Sequence, residues 1–364
     1  MLRSLPDLAL WLALAAVVAA TLAVWRWLVR RTYRLGRPRP ERTMVRCADG
    51  WEIAVYRRPA GRRRWVQPVV LCHGLASNRR NFDFEPPYSV SHFLADAGFD
   101  CFVVEWRGTR GSRRPPAGRN GAAFCVDDHI DQDGPALLGH ALAETGASSA
   151  FWIGHSMGGL VGYGVAQGPG AALLDGLVTL GSPVSFERTW LMRTAMGAGA
   201  LLAAPYAFRY ELVATILAPF VGWVRLPFSD VIANTRHIAP SVQRQLVVTL
   251  LSAMGRKTLL QFRDWVTTGT FRSFDGERDY REGLGTITTP ILCAGGSCDR
   301  LAPPPSVTLA HELAGSSDKS LVIFGRERGD GEDYGHGDLV FGRGAPTEVY
   351  PVIRAWLEER ATPL

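Results

Sequence analysis

Residues 151–166, FWIGHSMGGLVGYGVA, decide the fold. The stretch starts with an apolar run that predicts a strand, Phe151–Gly154, and ends with one that predicts a helix, Met157–Ala166. Between them lies Gly-His-Ser-Met-Gly, a tight turn in which glycines permit the close backbone contacts that push Ser156 outward. A serine in this strand–turn–helix setting is typical of a nucleophile at the top of a parallel sheet. Ser156 is therefore the first candidate catalytic residue.

Strand and helix signals alternate on both sides of this stretch. Two short strands, Thr43–Cys47 and Glu52–Tyr56, flank Asp49-Gly50, which predicts a hairpin. The other predicted strands are Val66–Cys72, Cys101–Glu105, Gly176–Leu180, Ile291–Ala294 and Leu321–Phe324. The predicted helices are Val90–Ala97, Asp127–Thr145 with a kink or break at Gly134-Pro135, Ser306–Ala314 and Thr347–Glu359. Near-continuous apolar strands alternating with helices indicate an α/β fold, a mostly parallel sheet with helices on both faces.

The alternation stops between about residues 185 and 285, where we predict helices and no strand. An insertion after Pro183 lies over the carboxyl ends of the strands, where α/β proteins hold their sites. Its large apolar side chains could pack in a core, line an acyl pocket or face lipid: Trp190, Met192, Tyr206, Phe208, Phe220 and Trp223. The predicted organisation is a membrane anchor (1–29), a basic linker (30–42), a first core part (43–184), a helical cap (185–285) and a second core part (286–364).

The N-terminus carries a candidate membrane span. Leu8 to Trp25 are 18 residues without a charge, about 27 Å as a helix. Only Arg3 precedes the span, whereas six arginines follow it within fifteen residues: Arg26, Arg30, Arg31, Arg34, Arg37 and Arg39. This asymmetry favours an uncleaved single-pass anchor with the C-terminal body in the cytoplasm. The alternative is a signal peptide, cleaved after a small residue such as Ala20 to release a secreted protein.

Composition excludes several classes. A chain of 364 residues with 47% hydrophobic and 20% charged residues is neither disordered nor fibrous. Residues 1–67 hold 14 arginines against four acidic residues, so the net charge of +6 lies entirely in that segment and nucleic-acid binding by the body is not expected. Six cysteines form neither CxxC pairs nor a zinc pattern, and Cys72, Cys101 and Cys293 lie in predicted buried strands, which fits a reducing compartment.

Four motifs, in order, resemble those of the α/β-hydrolases. His73-Gly74-Leu75 after the third strand resembles the family's oxyanion motif, and residues 105–112, EWRGTRGS, resemble its DxRGxGxS segment with Glu for Asp and one insertion. The elbow around Ser156 is followed by Gly296-Ser297-Cys298-Asp299, which resembles the family's acid turn, and by His336 after the last strand. Ser, Asp and His stand in the family's triad order. The closing segment, 334–343, resembles acid lipases and polyhydroxyalkanoate synthases, but the synthases carry Cys where this chain has Ser156.

The resemblance implies a serine hydrolase that cleaves carboxylic esters with apolar acyl chains. Ser156 would attack the acyl carbon, His336 would move the proton and Asp299 would orient the imidazole, with backbone N–H groups of Leu75 and Met157 holding the oxyanion. Asp318 and Glu332 are the competing candidates for the acid, and His311 for the base. His73 is expected to stabilise the oxyanion loop, and we also assign it, with Trp190, Tyr206 and Phe220, to substrate binding.

Two alternatives to hydrolysis stay open at this stage. An acyltransferase or a polyester synthase-like enzyme would use the same acyl-enzyme with an alcohol as acceptor, and a silent scaffold would keep the fold without activity. No cofactor and no metal are expected. The acidic, glycine-rich stretch Glu327–Asp338 is the one candidate calcium site, but it lacks the EF-hand spacing, and a solvated loop that carries His336 is the preferred interpretation.

Overall fold

The computed structural model describes residues 5–36, 40–109, 111–114, 123–186, 194, 197–198, 201, 207–208, 210–223 and 229–364. The strands are β1 Glu41–Arg46, β2 Glu52–Arg58, β3 Val69–Cys72, β4 Cys101–Glu105, β5 Ala150–His155, β6 Leu174–Leu180, β7 Ala207–Phe208, β8 Met254–Gly255, β9 Ile291–Gly296 and β10 Lys319–Phe324. The helices are α1 Leu5–Thr32, α2 Val90–Asp96, α3 Val126–Asp128, α4 Gly134–Thr145, α5 Met157–Ala166, α6 Glu211–Leu217, α7 Ser229–Ile232, α8 Pro240–Thr249, α9 Arg256–Thr268, α10 Pro304–Leu313, α11 Asp338–Phe341 and α12 Ala345–Glu358. Single 3₁₀ turns lie at Arg79–Asn81, Pro169–Leu173, Ala218–Phe220, Thr235–His237, Glu282–Thr286 and Arg326–Arg328.

Eight strands form one sheet in the order β1-β2-β4-β3-β5-β6-β9-β10. β1 and β2 form the predicted antiparallel hairpin, with Gly50 in the left-handed region at φ 88°, and β2 also runs antiparallel to β4. All other pairings in this sheet are parallel. The predicted mostly parallel sheet is confirmed. β5, which leads into the Ser156 turn, lies at its centre between β3 and β6.

Both faces of the sheet are buried under helices, as predicted. Successive side chains of a strand point to opposite faces, and in β3 Val70 packs in one apolar cluster while Val69 packs in the other. The first cluster includes residues of α4, α5 and α10, and the second includes residues of α2 and α12. A rigid sheet covered on both sides therefore supports the loops at its carboxyl edge.

The structure refines one sequence prediction about local structure and contradicts another. The predicted helix 127–145 is interrupted just before Gly134-Pro135 by a π-helical turn, His129–Asp133, between α3 and α4, and Pro135 lies in the first turn of α4, where proline is tolerated. In the segment predicted to be all helical, β7 and β8 form a short antiparallel pair. Two-residue strands carry too little periodicity to be read from sequence. Neither β7 nor β8 joins the main sheet, which has no strand between Leu180 and Ile291 in the described part of the chain.

Helix α1 is long and apolar enough to cross a membrane, and most of its apolar stretch is exposed. Its C-terminal end contacts the rest of the protein, because Val29 is buried and the indole Nε1 of Trp25 donates a hydrogen bond to the carbonyl of Ile216 at 3.0 Å. Leu35, just after the helix, is buried in the second apolar cluster. In the described part of the chain, these contacts between the candidate anchor and the body lie at the C-terminal end of α1.

Candidate active site

Ser156 lies between β5 and α5 in a strained conformation. Its φ of 53° and ψ of −120° are a backbone state that non-glycine residues rarely adopt. The turn can be this tight because a Cβ on Gly158 would lie 1.9 Å from the carbonyl oxygen of Cys72, so only glycine fits there. Ser156 itself is partly exposed, whereas its neighbours His155 and Met157 are buried. The strain thus presents the hydroxyl at the start of α5, whose positive end favours a developing negative charge.

Asp299 and His336 form a buried hydrogen-bonded pair. The Nδ1–H of His336 donates to Asp299 Oδ2 at 2.8 Å. The other carboxylate oxygen, Oδ1, accepts from the backbone N–H groups of Leu301 and Ala302, each at 2.8 Å. These bonds fix the carboxylate and leave Nε2 of the imidazole turned away from it. Asp299 lies after β9 and His336 after β10, as the predicted acid turn and loop require.

The end of β6 brings this pair beside Ser156. The backbone N–H of Ser156 donates to the carbonyl of Leu180 at 2.8 Å. The next residue, Gly181, has φ +56°, and a Cβ there would lie 3.1 Å from both Asp299 Oδ2 and His336 Nδ1. A side chain at 181 would therefore displace the pair. Because Leu180 and Gly181 are adjacent, the three candidate triad residues lie near one another at the carboxyl edge of the sheet.

The His73-Gly74-Leu75 loop lies against the nucleophile. A Cβ on Gly74 would lie 3.0 Å from Ser156 Cβ and 3.6 Å from its Oγ. Met157, one predicted oxyanion residue, begins α5 directly after Ser156. Leu75, the other, is partly buried against the core and follows Gly74, which lies against Ser156. Asn81, which the sequence analysis did not identify, accepts from the Gly74 N–H at 3.3 Å through its Oδ1. Its only sequence signal is a polar stretch after the HGL motif.

The His73 side chain is hydrogen-bonded to the backbone of this loop and of Trp106. The ring is buried: Nδ1 donates to the Gly74 carbonyl at 2.9 Å, and Nε2 accepts from the backbone N–H of Trp106 at 3.4 Å. Burial lowers the pKa of His73 to about 3, so the ring is neutral at neutral pH. Both ring nitrogens are engaged with backbone groups. The loop-stabilising role expected for His73 agrees with these contacts, whereas the assignment to substrate binding does not, because the ring is enclosed.

His155 connects the elbow to the loop that carries His336. Its Nδ1 lies 3.1 Å from Asn81 Oδ1 and its Nε2 lies 3.2 Å from the backbone carbonyl of His336. The rings of His155 and His336 are 4.7 Å apart between centroids. Burial, with a smaller contribution from His336, lowers the pKa of His155 to about 3. A neutral imidazole has one N–H, so His155 donates to one of these two oxygens at a time.

The buried state of His155 predicts a pH dependence of stability. Its pKa falls from 6.5 to about 3 on folding, so between these values the unfolded chain binds more protons. The stability of the fold with neutral His155 is therefore greatest above the unfolded pKa and falls as the pH decreases toward 3. Between these pH values, this residue makes the free energy of unfolding rise with pH by up to about 1.4 kcal/mol per pH unit. We expect that part of the slope to be absent in the His155→Gln variant. Urea unfolding at a series of pH values measures that slope. An equal change in a His311→Gln control, at a partly exposed ring on α10, would contradict the assignment.

Residues of the segment predicted to be a cap are hydrogen-bonded to the loop that follows His73-Gly74-Leu75. The carbonyl of Ala76, a residue at φ 64°, accepts hydrogen bonds from the Tyr210 hydroxyl at 2.8 Å and from the Ser252 N–H at 2.9 Å. The Asn78 side-chain amide donates to the Thr249 carbonyl at 2.9 Å. Sequence reasoning missed Tyr210, Ser252 and Asn78, because no local motif marks contacts made across more than a hundred residues. The predicted cap segment is thus hydrogen-bonded to the loop beside Ser156.

The remaining predicted residues lie elsewhere. Trp190 and Tyr206 fall outside the described residues. Phe220, which the sequence places in the acyl pocket, lies half-exposed on the outer surface of the cap. Asp318, a competing acid, pairs with Arg360 at 2.6 Å, while Glu332 pairs with His237 at 2.9 Å. His311 lies on α10.

The acidic stretch Glu327–Asp338 is held by protein groups. Asp330 accepts from the Gly325 N–H, Asp333 from Ser297 and the Arg326 N–H, and Asp338 from the Gly335 N–H. Within the described ranges no three His, Cys, Asp or Glu side chains are grouped to hold a metal ion. Burial raises the pKa of Asp338. These contacts order the loop that carries His336.

Comparisons with known proteins agree with this fold. Residues 67–227 match the family model described as alpha/beta hydrolase fold. Gastric triacylglycerol lipase of Rattus norvegicus is 33% identical over 353 residues, covering 85% of this chain and 86% of that protein. A thermophilic esterase from Thermogutta terrifontis superposes with a TM-score of 0.59 at 19% identity, over 88% of this chain and all of that chain. A bacterial membrane phospholipase A superposes with a TM-score of 0.54 at 19% identity, over 98% of this chain and 97% of that chain. The chain belongs to the α/β-hydrolase family, among its lipase- and esterase-like carboxylic ester hydrolases.

Proposed function

We propose that this enzyme hydrolyses carboxylic esters with apolar acyl chains through an acyl-enzyme on Ser156. The observation that carries the proposal is the Asp299–His336 hydrogen bond of 2.8 Å. The two side chains pack against Gly181, near Ser156 with its φ of 53°. A nucleophile, a base and an orienting acid in this arrangement are the elements of serine hydrolysis, whatever the fold. Neither a cofactor nor a metal has a role in this scheme.

The chemistry proceeds in two acyl-transfer steps. In the first, Ser156 Oγ attacks the ester carbonyl while Nε2 of His336 takes its proton, and the same proton then leaves with the alcohol. In the second, water attacks the acyl-enzyme, again with His336 as base, and the carboxylic acid leaves as Ser156 regains its proton. Asp299 stabilises the imidazolium in both steps. The N–H groups of Leu75 and Met157 would hold the oxyanion, each contributing roughly 3–4 kcal/mol of barrier reduction.

An apolar acyl chain is the substrate feature that we expect the enzyme to select. The relative from rat is named for triacylglycerol, whose acyl groups are apolar. Large apolar side chains also dominate the cap segment, residues 185–285. We therefore expect kcat/KM to rise with chain length from acetate to octanoate esters, by up to about fourfold per methylene, since each buried CH₂ contributes roughly 0.8 kcal/mol. Rates of p-nitrophenyl esters of increasing length on purified protein measure this. A profile that peaks at acetate would contradict it.

Hydrolysis is to be separated from acyl transfer in the same assay. Both reactions share the acyl-enzyme, so release of p-nitrophenol reports its formation in either case, while the products identify the acceptor. We expect free acid as the main product when a primary alcohol is added in parallel. A new ester as the main product would identify an acyltransferase or polyester synthase-like enzyme. Absence of p-nitrophenol release and of fluorophosphonate labelling would identify a silent scaffold.

We also propose that α1 anchors the enzyme in a membrane with the body in the cytoplasm. The alignment to the membrane phospholipase A extends over 98% of this chain, which supports a counterpart for most of α1. The basic residues concentrate after the apolar stretch, and moving them across a bilayer is unfavourable. All six cysteines are unpaired in the structure, five of them buried, which agrees with a reducing compartment.

This topology predicts the behaviour of C-terminal reporters. Green fluorescent protein fused after Leu364 should be bright in cells, and alkaline phosphatase at the same site should be inactive, because it needs an oxidising compartment. The reverse pattern would place the body outside the cytoplasm. A mature N-terminus near residue 21, found by sequencing the purified protein, would show instead that the segment is a cleaved signal peptide.

A further inference from the structure

The cap helix α6, Glu211–Leu217, and the 3₁₀ turn that continues it bury polar side chains and expose large apolar ones. The buried residues are Glu211, Thr215 and Ala218, two of them polar, while Leu212 and Ile216 are half-buried. A helix on the surface of a water-soluble protein has its polar side chains outward. The outward side of α6 therefore has the character of a surface that meets an apolar surrounding.

The outward side forms a stripe of large apolar side chains. Val213 is 61% exposed, Leu217 50% and Phe220 53%, and their spacing of four and three residues keeps them on one face. Trp223, three residues further, is 78% exposed, with the guanidinium of Arg244 over its ring at 5.8 Å. A tryptophan next to a cation is typical of the headgroup region of a bilayer. We name these four side chains the cap stripe.

The anchor helix places the cap stripe at a definite depth. Trp25 lies at the end of the uncharged stretch and next to Arg26, so in a spanning helix its indole lies at the membrane interface. That indole donates to the carbonyl of Ile216, which lies between the residues of the stripe on α6. With α1 spanning a membrane, this hydrogen bond of 3.0 Å would hold α6 at the level of the headgroups, on the side of the basic flank.

The same helix adjoins the catalytic machinery at its other end. Tyr210, immediately before α6, donates its hydroxyl to the carbonyl of Ala76 in the oxyanion loop. Burial raises the pKa of Tyr210 well above its ordinary value, so the phenol keeps the proton that it donates. Helix α6 thus begins one residue after a direct contact with the loop beside Ser156.

We propose that the cap stripe is seated in the membrane that α1 spans, so that the enzyme takes its substrate from the bilayer. The substrate class is then esters that reside in the lipid phase, and monomeric water-soluble esters reach Ser156 without help from the stripe. The occupant of this surface is the lipid headgroup and acyl boundary. This inference rests on the proposed function for its substrate, whereas the seating of the stripe can be measured independently of activity.

The first test compares two substrates on the full chain in lipid vesicles. We expect the Leu217→Glu variant to lose about tenfold or more in turnover of a long-chain ester dissolved in the vesicle, because burying a leucine at the boundary contributes roughly 1.5–3 kcal/mol. Its turnover of soluble p-nitrophenyl butyrate should stay within about twofold of the wild type, a difference worth under 0.5 kcal/mol. The control Leu313→Glu introduces the same charge at an exposed leucine of α10 and should change neither rate. Equal vesicle turnover in the two variants would overturn the proposal.

The second test measures directly whether residue 217 lies in lipid or in water, and it does not depend on catalysis. Leu217→Cys, in a Cys298→Ser background that removes the exposed thiol, is labelled with the fluorophore NBD in the full chain in vesicles. We expect quenching by nitroxide-labelled lipids and protection from aqueous iodide. Quenching by iodide, or protection from both quenchers with cross-linking between two copies, would overturn the proposal. If the wild type cleaves neither ester while lipid nitroxides quench the label, the proposed function is wrong, but the insertion of the cap stripe in the membrane is confirmed.

Discussion

The Ser156→Ala variant is expected to lose on the order of 10⁶ in kcat for ester substrates, while its thermal unfolding stays close to that of the wild type. Removing Oγ deletes the nucleophile, whereas the elbow that holds it depends on the close contacts of Gly158 and on the Ser156 N–H bond to Leu180. A residual rate above that in water should persist, because the oxyanion donors and the binding site remain. Steady-state kinetics with p-nitrophenyl esters measure the loss.

The control is Ser148→Ala, at an exposed serine just before β5, on the edge of the sheet opposite to the elbow. It removes a serine hydroxyl at the other end of the same strand and should leave kcat unchanged. Full activity in folded Ser156→Ala protein would show that another residue forms the acyl-enzyme or that no acyl-enzyme forms.

The Asp299–His336 pair gives the second large effect. His336→Ala should lower kcat about as much as Ser156→Ala, since nucleophile and base act as a unit. Asp299→Asn keeps the shape but offers an amide, which disturbs the imidazole tautomer, and should lower kcat by roughly 10⁴. Kinetics at neutral pH on the purified variants measure both losses.

Asp318→Asn is the matched control for the acid. Its carboxylate pairs with Arg360, so its loss removes a salt bridge but no group near Ser156. We expect kcat to stay within about twofold of the wild type, since an ion pair of this kind contributes roughly 0–1 kcal/mol and acts on stability. A neutral Asp299→Asn together with an inactive Asp318→Asn would show that the acid is misassigned.

The sheet, and the places in it of the three candidate triad residues, could be predicted from the sequence because those features are local. The close packing around Ser156 requires glycines at fixed offsets, and these are visible in the sequence as GHSMG. Asp299 follows a strand whose apolar run is unmistakable, and its two backbone N–H bonds come from the next three residues. Motifs of this kind carry their geometry with them, so their order along the chain is enough to place them.

Contacts between distant segments could not be predicted in the same way. Asn81 lies 74 residues from His155 and Tyr210 lies 134 residues from Ala76, and nothing in either neighbourhood specifies the pairing. The orientation of α6 could not be predicted either, because its apolar side chains could pack in a core, line a pocket or face lipid. In the structure Val213 and Leu217 are exposed and Glu211 is buried.

The acyl-enzyme on Ser156 is tested most directly by its chemical trapping. A fluorophosphonate attacked by the wild type should give one covalent adduct per chain by intact mass, and peptide mapping should locate it on the elbow peptide at Ser156. Prior incubation with a long-chain ester substrate should slow the labelling, and Ser156→Ala protein should give no adduct. An adduct on another residue, or none on folded wild-type protein, would contradict the account.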